Sequence, residues 1–207
     1  LDDALFDFYH ALYDSKESVK SMVARARTMF PVCRDPDLVL CISHNKRILV
    51  NKRMNEAKAP DNAVKVCATE GIQGTTCAPQ DMLLWPQMEL IGCPRGRAAK
   101  HSVVQGVVYT LLYVGALSVL RMKPEYGDEE IEVPIEEIPY LLRLTHAMCY
   151  YTVQGRTIKD RRIMLIDTDH PHFSRRALIV GLSRATCSNV VHVAGSEVEI
   201  LGREWSI

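Results

Sequence analysis

Two short runs in the last third of the chain carry residue types suited to phosphate chemistry. Gln154-Gly155-Arg156-Thr157 sets a glutamine beside a glycine, with a threonine two positions further on. Side-chain donors then lie next to backbone that can approach a phosphate closely. Ser183-Arg184-Ala185-Thr186 follows the apolar run Ala177-Leu178-Ile179-Val180-Gly181-Leu182. An arginine at the end of an apolar helix has two kinds of partner. It can satisfy the last helix carbonyls, or its planar fork can bond two phosphate oxygens at once. In nucleotide hydrolases the second arrangement stabilises charge on the transferring phosphoryl group, and its loss costs about 10³–10⁵ in rate.

Other polar clusters have plainer readings. Asp167, Asp169, His170 and His172 fall within six residues. Such a set can ligate zinc or manganese, but a polar loop after a strand is the favoured reading. His146 and Tyr150 are four apart and can share a helix face, His146 as a core histidine. Lys46, Arg47, Lys52 and Arg53 make a basic helix face. That face is either solvated or follows a phosphate backbone. Trp85 and Trp205 read as packing residues.

These residues need elements to hold them. Leu5, Phe8, Leu12, Val19, Met22 and Val23 recur at helical spacing, so Leu1 to about Met29 is expected to be helix, ended by Pro31. Asp37 to Ser43 is a short apolar run, the pattern of a buried parallel strand, and His44 to Ala57 follows it as helix. Ligands gather at the carboxyl ends of strands in such a unit. From Val64 to about Val133 short apolar stretches alternate with Gly and Pro, which predicts a small barrel or meander. Lys123 to Glu130 reads as a solvated hairpin or loop. Ile135 to Leu144 returns towards helix. Arg162 to Asp167 reads as a second buried strand, Ser174 to Leu182 as helix, and Val190 to Val193 as a third strand.

The 207 residues, 47% of them hydrophobic, allow one sizeable core with room for a small appended module. The formal net charge is zero. A broad nucleic-acid coat is normally basic, so this charge argues against wide electrostatic binding and leaves room only for a narrow groove that meets a few phosphates. Seven cysteines form no C-x-x-C pair. An odd count without that spacing argues against zinc ribbons and disulfide frameworks, and favours free thiols in a reducing, intracellular compartment. No apolar run reaches the length of a membrane span.

In order and spacing, Tyr150-Tyr151-Thr152-Val153-Gln154-Gly155-Arg156-Thr157, then the strand with Asp167, then Ala177 to Ala185 resemble motifs V and VI of superfamily 1 helicases, particularly the RecD and Pif families. The family's usual form is T-x-H-x-x-Q-G-x-T, an acidic-ended strand, and Y-V-A-L-S-R-A. Leu38 to Asn51 looks like the family's preceding strand and helix, and Met82 to Val133 falls where these helicases carry a small barrel. The resemblance covers most of residues 36 to 195.

It implies a RecA-like, P-loop NTPase-type α/β fold: a parallel sheet with helices on both faces plus a small β-barrel-like insert. Residues 1–81 and 135–207 would form the RecA-like domain and 82–134 the insert. It implies Arg184 and Gln154 as catalytic residues. Gly155, Arg156 and Ser183 would contact nucleotide, and Tyr151, Thr152, Thr157, His44 and Asn51 would contact nucleic acid. ATP and Mg²⁺ would be the cofactors, single-stranded DNA and an N-terminal RecA-like domain of the same polypeptide the partners, and movement 5′ to 3′. The location implied is the nucleus or a viral or cytoplasmic replication site, and no membrane partner is implied.

The chain departs from the pattern in two ways. Motif V carries Tyr151 where the family has His, and Cys149 where it has Thr. No G-x-x-x-x-G-K-[ST] is present; Gly71-Ile72-Gln73-Gly74-Thr75-Thr76 lacks the lysine. The expectation is a chain that does not hydrolyse ATP alone and a polypeptide that continues upstream of Leu1. A helicase-derived nucleic-acid-binding module without ATPase activity is one alternative, and a viral-type RNA helicase domain is another.

Overall fold

A computed structural model describes residues 3–68, 79–94, 102–114, 119–195, 197–200 and 203–206. The glycine run 71–76 and Cys77 lie outside these residues, as does the side chain of Trp205. The elements, in chain order, are α1 (Asp3–Ala11), α2 (Val19–Met29), β1 (Leu38–Cys41), α3 (His44–Lys58), β2 (Val64–Val66), β3 (Met82–Leu84), β4 (Glu89–Gly92), β5 (Val108–Val114) and β6 (Val119–Pro124). Then follow β7 (Ile131–Pro134), α4 (Ile138–Leu141), β8 (Leu142–Leu144), β9 (Ala147–Cys149), β10 (Ile163–Leu165), α5 (Arg175–Leu182), β11 (Val191–Val193), β12 (Glu197–Ile200) and β13 (Arg203–Ser206).

The chain falls into two compact units, residues 1–50 with 146–207, and residues 51–145. The first is built on a four-stranded parallel sheet in the order β11-β10-β1-β9. Every residue of β1, β9 and β10 is buried, which is why β1 and β10 read as unbroken apolar runs instead of alternating ones. This is the expected α/β, RecA-like class. Strands β1 and β10 are tied at their start as well, where the Arg162 N–H donates to Asp37 Oδ2 at 2.8 Å.

The first helical segment is two helices, not one. Ser18 accepts from the Ser21 N–H and caps α2. Asp14-Ser15-Lys16-Glu17-Ser18 supplies turn and cap formers whose side chains compete with helix continuation. Leu5, Phe8 and Leu12 from the first segment and Met22, Val23 and Ala26 from α2 are buried, and α1 and α2 each pack against α5. Arg27 fixes α2 to the loop after β10, donating to Thr168 Oγ1 at 2.6 Å and Asp169 Oδ2 at 2.7 Å.

The second unit contains a curled five-stranded sheet, β7-β6-β5-β4-β8, antiparallel throughout. Leu84, Leu90, Tyr109, Leu111, Met122 and Val133 form its core, with Trp85 packed at the edge. The pairing slips between Leu111 and Tyr113, a bulge that bends the sheet. The half-barrel fits the expected insert, and residues 82–134 lie within this unit. Ile135 to Leu144 is only briefly helical. A 3-10 turn and α4 give way to β8, because Leu142–Leu144 completes the sheet against β4. His146 and Tyr150 do not share a helix: they flank β9.

Candidate functional site

All four parallel strands of the first unit end on the same edge, where α/β sheets present their ligand-binding loops. From β1 the chain passes through Ile42 and Ser43 into α3, whose first turn is capped by Ser43 Oγ accepting the Lys46 N–H at 3.1 Å. From β9 it enters a series of tight turns, in which the Thr152 N–H donates to the Cys149 carbonyl at 2.8 Å and the Arg156 N–H to the Val153 carbonyl at 3.1 Å. Gly155 closes them with φ of 84°. Nothing crowds its α-carbon, so the backbone angle, not space, favours glycine.

The register of β1 against β9 sets Cys41 opposite Cys149, so the residues that follow each strand meet. The Tyr151 hydroxyl and His44 Nε2 are hydrogen-bonded at 2.9 Å, their rings edge to face. His44 Nδ1 lies 3.8 Å from Cys149 Sγ. Tyr151 is exposed at 61% and presents its ring to solvent. Burial holds the His44 pKa below its ordinary value, and the Arg47 guanidinium adds to the effect. His44 is therefore a neutral imidazole at pH 7.

Asp167 fixes the loop that carries His44. It sits just past β10 with φ of 59°, a left-handed residue that is not glycine. Its Oδ2 accepts the Ile42 N–H at 2.9 Å, and Oδ1 lies 3.6 Å from Lys46 Nζ. One buried carboxylate thus holds both the entry to α3 and its first turn.

The two phosphate-type motifs also meet. Arg184 Nη1 donates to the Arg156 carbonyl at 2.6 Å, and the Ile158 N–H donates back to the Arg184 carbonyl at 2.9 Å. Arg184 Nε donates to the Val180 carbonyl at 3.2 Å, and Nη2 to Ser183 Oγ at 2.9 Å. In this structure Arg184 makes the helix-end contacts, satisfying carbonyls at the close of α5. Behind it, a Cβ on Gly181 would come within 2.5 Å of Leu165 Cδ2, so glycine lets α5 lie close on the sheet. Gln154 is exposed and its Oε1 accepts from Arg176 Nη2 at 3.4 Å. An open cleft of about 380 Å³ lies beside it, bordered by Cys41, Tyr150, Tyr151, His172 and Arg176.

The remaining candidates separate. Thr152 is half-buried and Thr157 exposed, both near Tyr151 in the chain. Asn51, further along α3, is fully buried. The four cations of α3 are not one open face: Lys46 pairs with Asp167, Arg47 is buried, and Lys52 is exposed. The loop cluster is polar structure: Asp167 holds Ile42, Asp169 holds Arg27, and His170 Nδ1 accepts the His172 N–H. Among the described residues no three His, Cys, Asp or Glu side chains are grouped to hold a metal. Nor is any helix among them long and apolar enough to cross a membrane. Sequence reasoning missed Asp167 as the positioning group. Its one signal was an acid directly after a buried strand.

Solved structures share this fold. Pif1 helicase from Candida albicans superposes with a TM-score of 0.56 at 15% identity, over 93% of this chain and 53% of that one. Bacteroides Pif1 bound to ssDNA gives 0.61 at 10% identity, over 93% and 49%. Bacteroides Pif1 in complex with ADP-AlF3 and ssDNA gives 0.59 at 11%, over 91% and 48%. The fold is that of a Pif1 helicase. The chain spans about half the length of the Pif1 structures it matches. No family model matches it, and no curated protein does.

Proposed function

We propose that the chain is the C-terminal motor half of an ATP-dependent DNA helicase of the Pif kind. The reading is carried by one observation. On a fold shared with Pif1 structures, the motif around Gln154 and the motif around Arg184 are joined directly, and Tyr151 and His44 stand together at the strand ends.

In this reading an N-terminal RecA-like domain of the same polypeptide holds most of the ATP and the Mg²⁺. This chain supplies arginine and glutamine donors from the facing side. Arg184 exchanges its carbonyl partners for phosphate oxygens, and Gln154 lies next to it through the Arg156 turn. Gly155, Arg156 and Ser183 line that side of the nucleotide. Tyr151, with Thr152 and Thr157, meets single-stranded DNA, stacking on a base or donating to a phosphate. His44 holds the Tyr151 hydroxyl and fixes its direction. Asn51 supports α3 from within instead of touching the strand.

Fluorescence anisotropy with labelled single-stranded DNA at low salt tests the strand side. The expected outcome is saturable binding by the wild type, weakened in Tyr151→Ala; no binding by a folded protein overturns it. The same titration with RNA separates the viral-type alternative, which predicts RNA preference. Arg184→Ala in the polypeptide carrying both halves tests the nucleotide side, with an expected loss of about 10³–10⁵ in ATP turnover. A helicase-derived binding module without ATPase activity is the second reading. The engagement of Arg184 with protein carbonyls favours it, and absence of ATP turnover by the wild-type polypeptide carrying both halves would establish it.

A further inference from the structure

The open cleft at the carboxyl edge of the parallel sheet has a volume of about 380 Å³, within the range of about 300–1,000 Å³ usual for small-ligand sites. Its inner surface is apolar and fixed. Cys41, Tyr150 and Ala177 border it and are buried. The Tyr150 hydroxyl donates to the Ile166 carbonyl at 2.9 Å, and its ring meets Phe173 edge to face. The rim is polar and exposed, carrying Tyr151, Gln154, His172 and Arg176. No acidic residue borders the cleft among the described residues. Asp167 and Asp169, on the loop after β10, are committed to Ile42 and Lys46 and to Arg27. Arg25, Arg27, Arg121 and Arg162 each pair with a carboxylate. Arg176 has no carboxylate partner among the described residues. Its Nη2 donates to Gln154 Oε1 at 3.4 Å, a long bond that an anion would displace.

An apolar slot with a cation on its rim and an exposed tyrosine beside it matches one nucleotide. A base is a flat ring that gains by leaving water, and it is joined to a phosphate. We propose that the cleft takes a single turned-out base of single-stranded nucleic acid, with Tyr151 as one wall and Arg176 holding the adjoining phosphate. The pocket rests on the single-strand role proposed above and adds recognition of one base to it. When Arg176 turns to the phosphate it releases Gln154 Oε1, so strand entry frees the glutamine. A strand suits the cleft better than a free nucleotide does. In a site this open a free nucleotide meets few groups and still pays the whole loss of translational freedom. A strand already held nearby delivers its base at high effective concentration.

The test is anisotropy at low salt with the shortest oligothymidine that binds wild-type protein at full affinity, so that it cannot slide. One abasic site is placed at each position in turn. The expected result is a loss of about 5- to 100-fold at one position and little change elsewhere. Val180→Trp, which fills the cleft from α5, should remove that penalty. Arg176→Ala should weaken every oligonucleotide alike and reduce the salt slope by about 0.7. Tight binding by the wild type with no penalty at any position, or with equal penalties at all, overturns the pocket and leaves the single-strand role standing. No binding of any oligonucleotide by folded protein overturns both. Competition by thymidine monophosphate as strong as by the oligonucleotide overturns the assignment to a strand. The abasic series uses wild-type protein, so it decides the matter even if Val180→Trp does not fold.

Discussion

The contact between Tyr151 and His44 joins two residues 107 positions apart in the chain. An imidazole kept neutral by burial is a good acceptor for a phenol, and it leaves the ring face of Tyr151 open. In the proposed role, Tyr151→Ala lowers single-strand affinity by about 1–3 kcal/mol, the usual value of one stacked base. Tyr151→Phe keeps most of that, because only the hydroxyl is lost. Protein stability should move little in either case, since the side chain is largely in water. His44 also fixes a pH dependence. Its folded pKa lies below 6.5, so the unfolded chain takes up the proton first as pH falls. The stabilisation is complete above pH 6.5 and is lost as pH drops through the folded value. Thermal unfolding from neutral towards acid should show a falling midpoint, and His44→Asn should flatten that slope. Arg184 gives a third prediction. Two of its hydrogen bonds go to backbone carbonyls, and bonds from charged donors contribute about 1.5–3 kcal/mol. Because the group is half-buried, Arg184→Ala should cost nearer the lower end in urea unfolding. A change within error would mean that these bonds are not made in solution.

Elements differ in how much they show in sequence. Strands β1 and β10 were legible because burial on both faces makes each an apolar run, and α5 because Ser174 sits where a cap must. The single long helix expected over the first 29 residues was not, because apolar spacing carries across a break that only the cap at Ser18 marks. Strands β8 and β9 were hidden for a related reason. Each has three residues, too few for a period, and each is defined by its partner strand instead of its own pattern. Of the site, the two motifs were legible, but their direct connection was not, because Arg184 reaches a backbone carbonyl at Arg156 that no residue type announces. The role of Asp167 was not, since an acid after a strand reads as loop until its partners are known. Element packing makes its own prediction at Gly181. Alanine there must displace Leu165 and also meet Tyr150 at 3.1 Å. Overpacking of this kind costs about 1–3 kcal/mol, measurable as a lower denaturation midpoint, whereas Ala177→Gly on the same helix should lose only about 1 kcal/mol.

At the scale of the molecule, equal numbers of acidic and basic residues limit how nucleic acid can be held. Several cations on α3 are already committed, Lys46 to a carboxylate and Arg47 to the interior. Few phosphates can then be neutralised. Each phosphate contact on a single strand adds about −0.7 to the slope of log affinity against log salt. A shallow dependence follows, equivalent to roughly two to four such contacts on the same basis. Anisotropy titrations across a salt series would measure it, and a steep slope would point to a cationic surface elsewhere in the chain.

Asp167 also constrains how this sequence can change over generations. The left-handed backbone there admits glycine, asparagine and aspartate at low cost. The Ile42 N–H admits only a side chain with an acceptor at that reach. Two residue types satisfy both demands, and asparagine among them gives up the charge facing Lys46. The position is thus a bottleneck in the sense of population genetics. Neighbouring loops can diverge, yet lineages that keep this loop must pass through Asp or Asn at 167. In a saturation library selected for folded protein, those two should survive at this codon, while β-branched residues should vanish first.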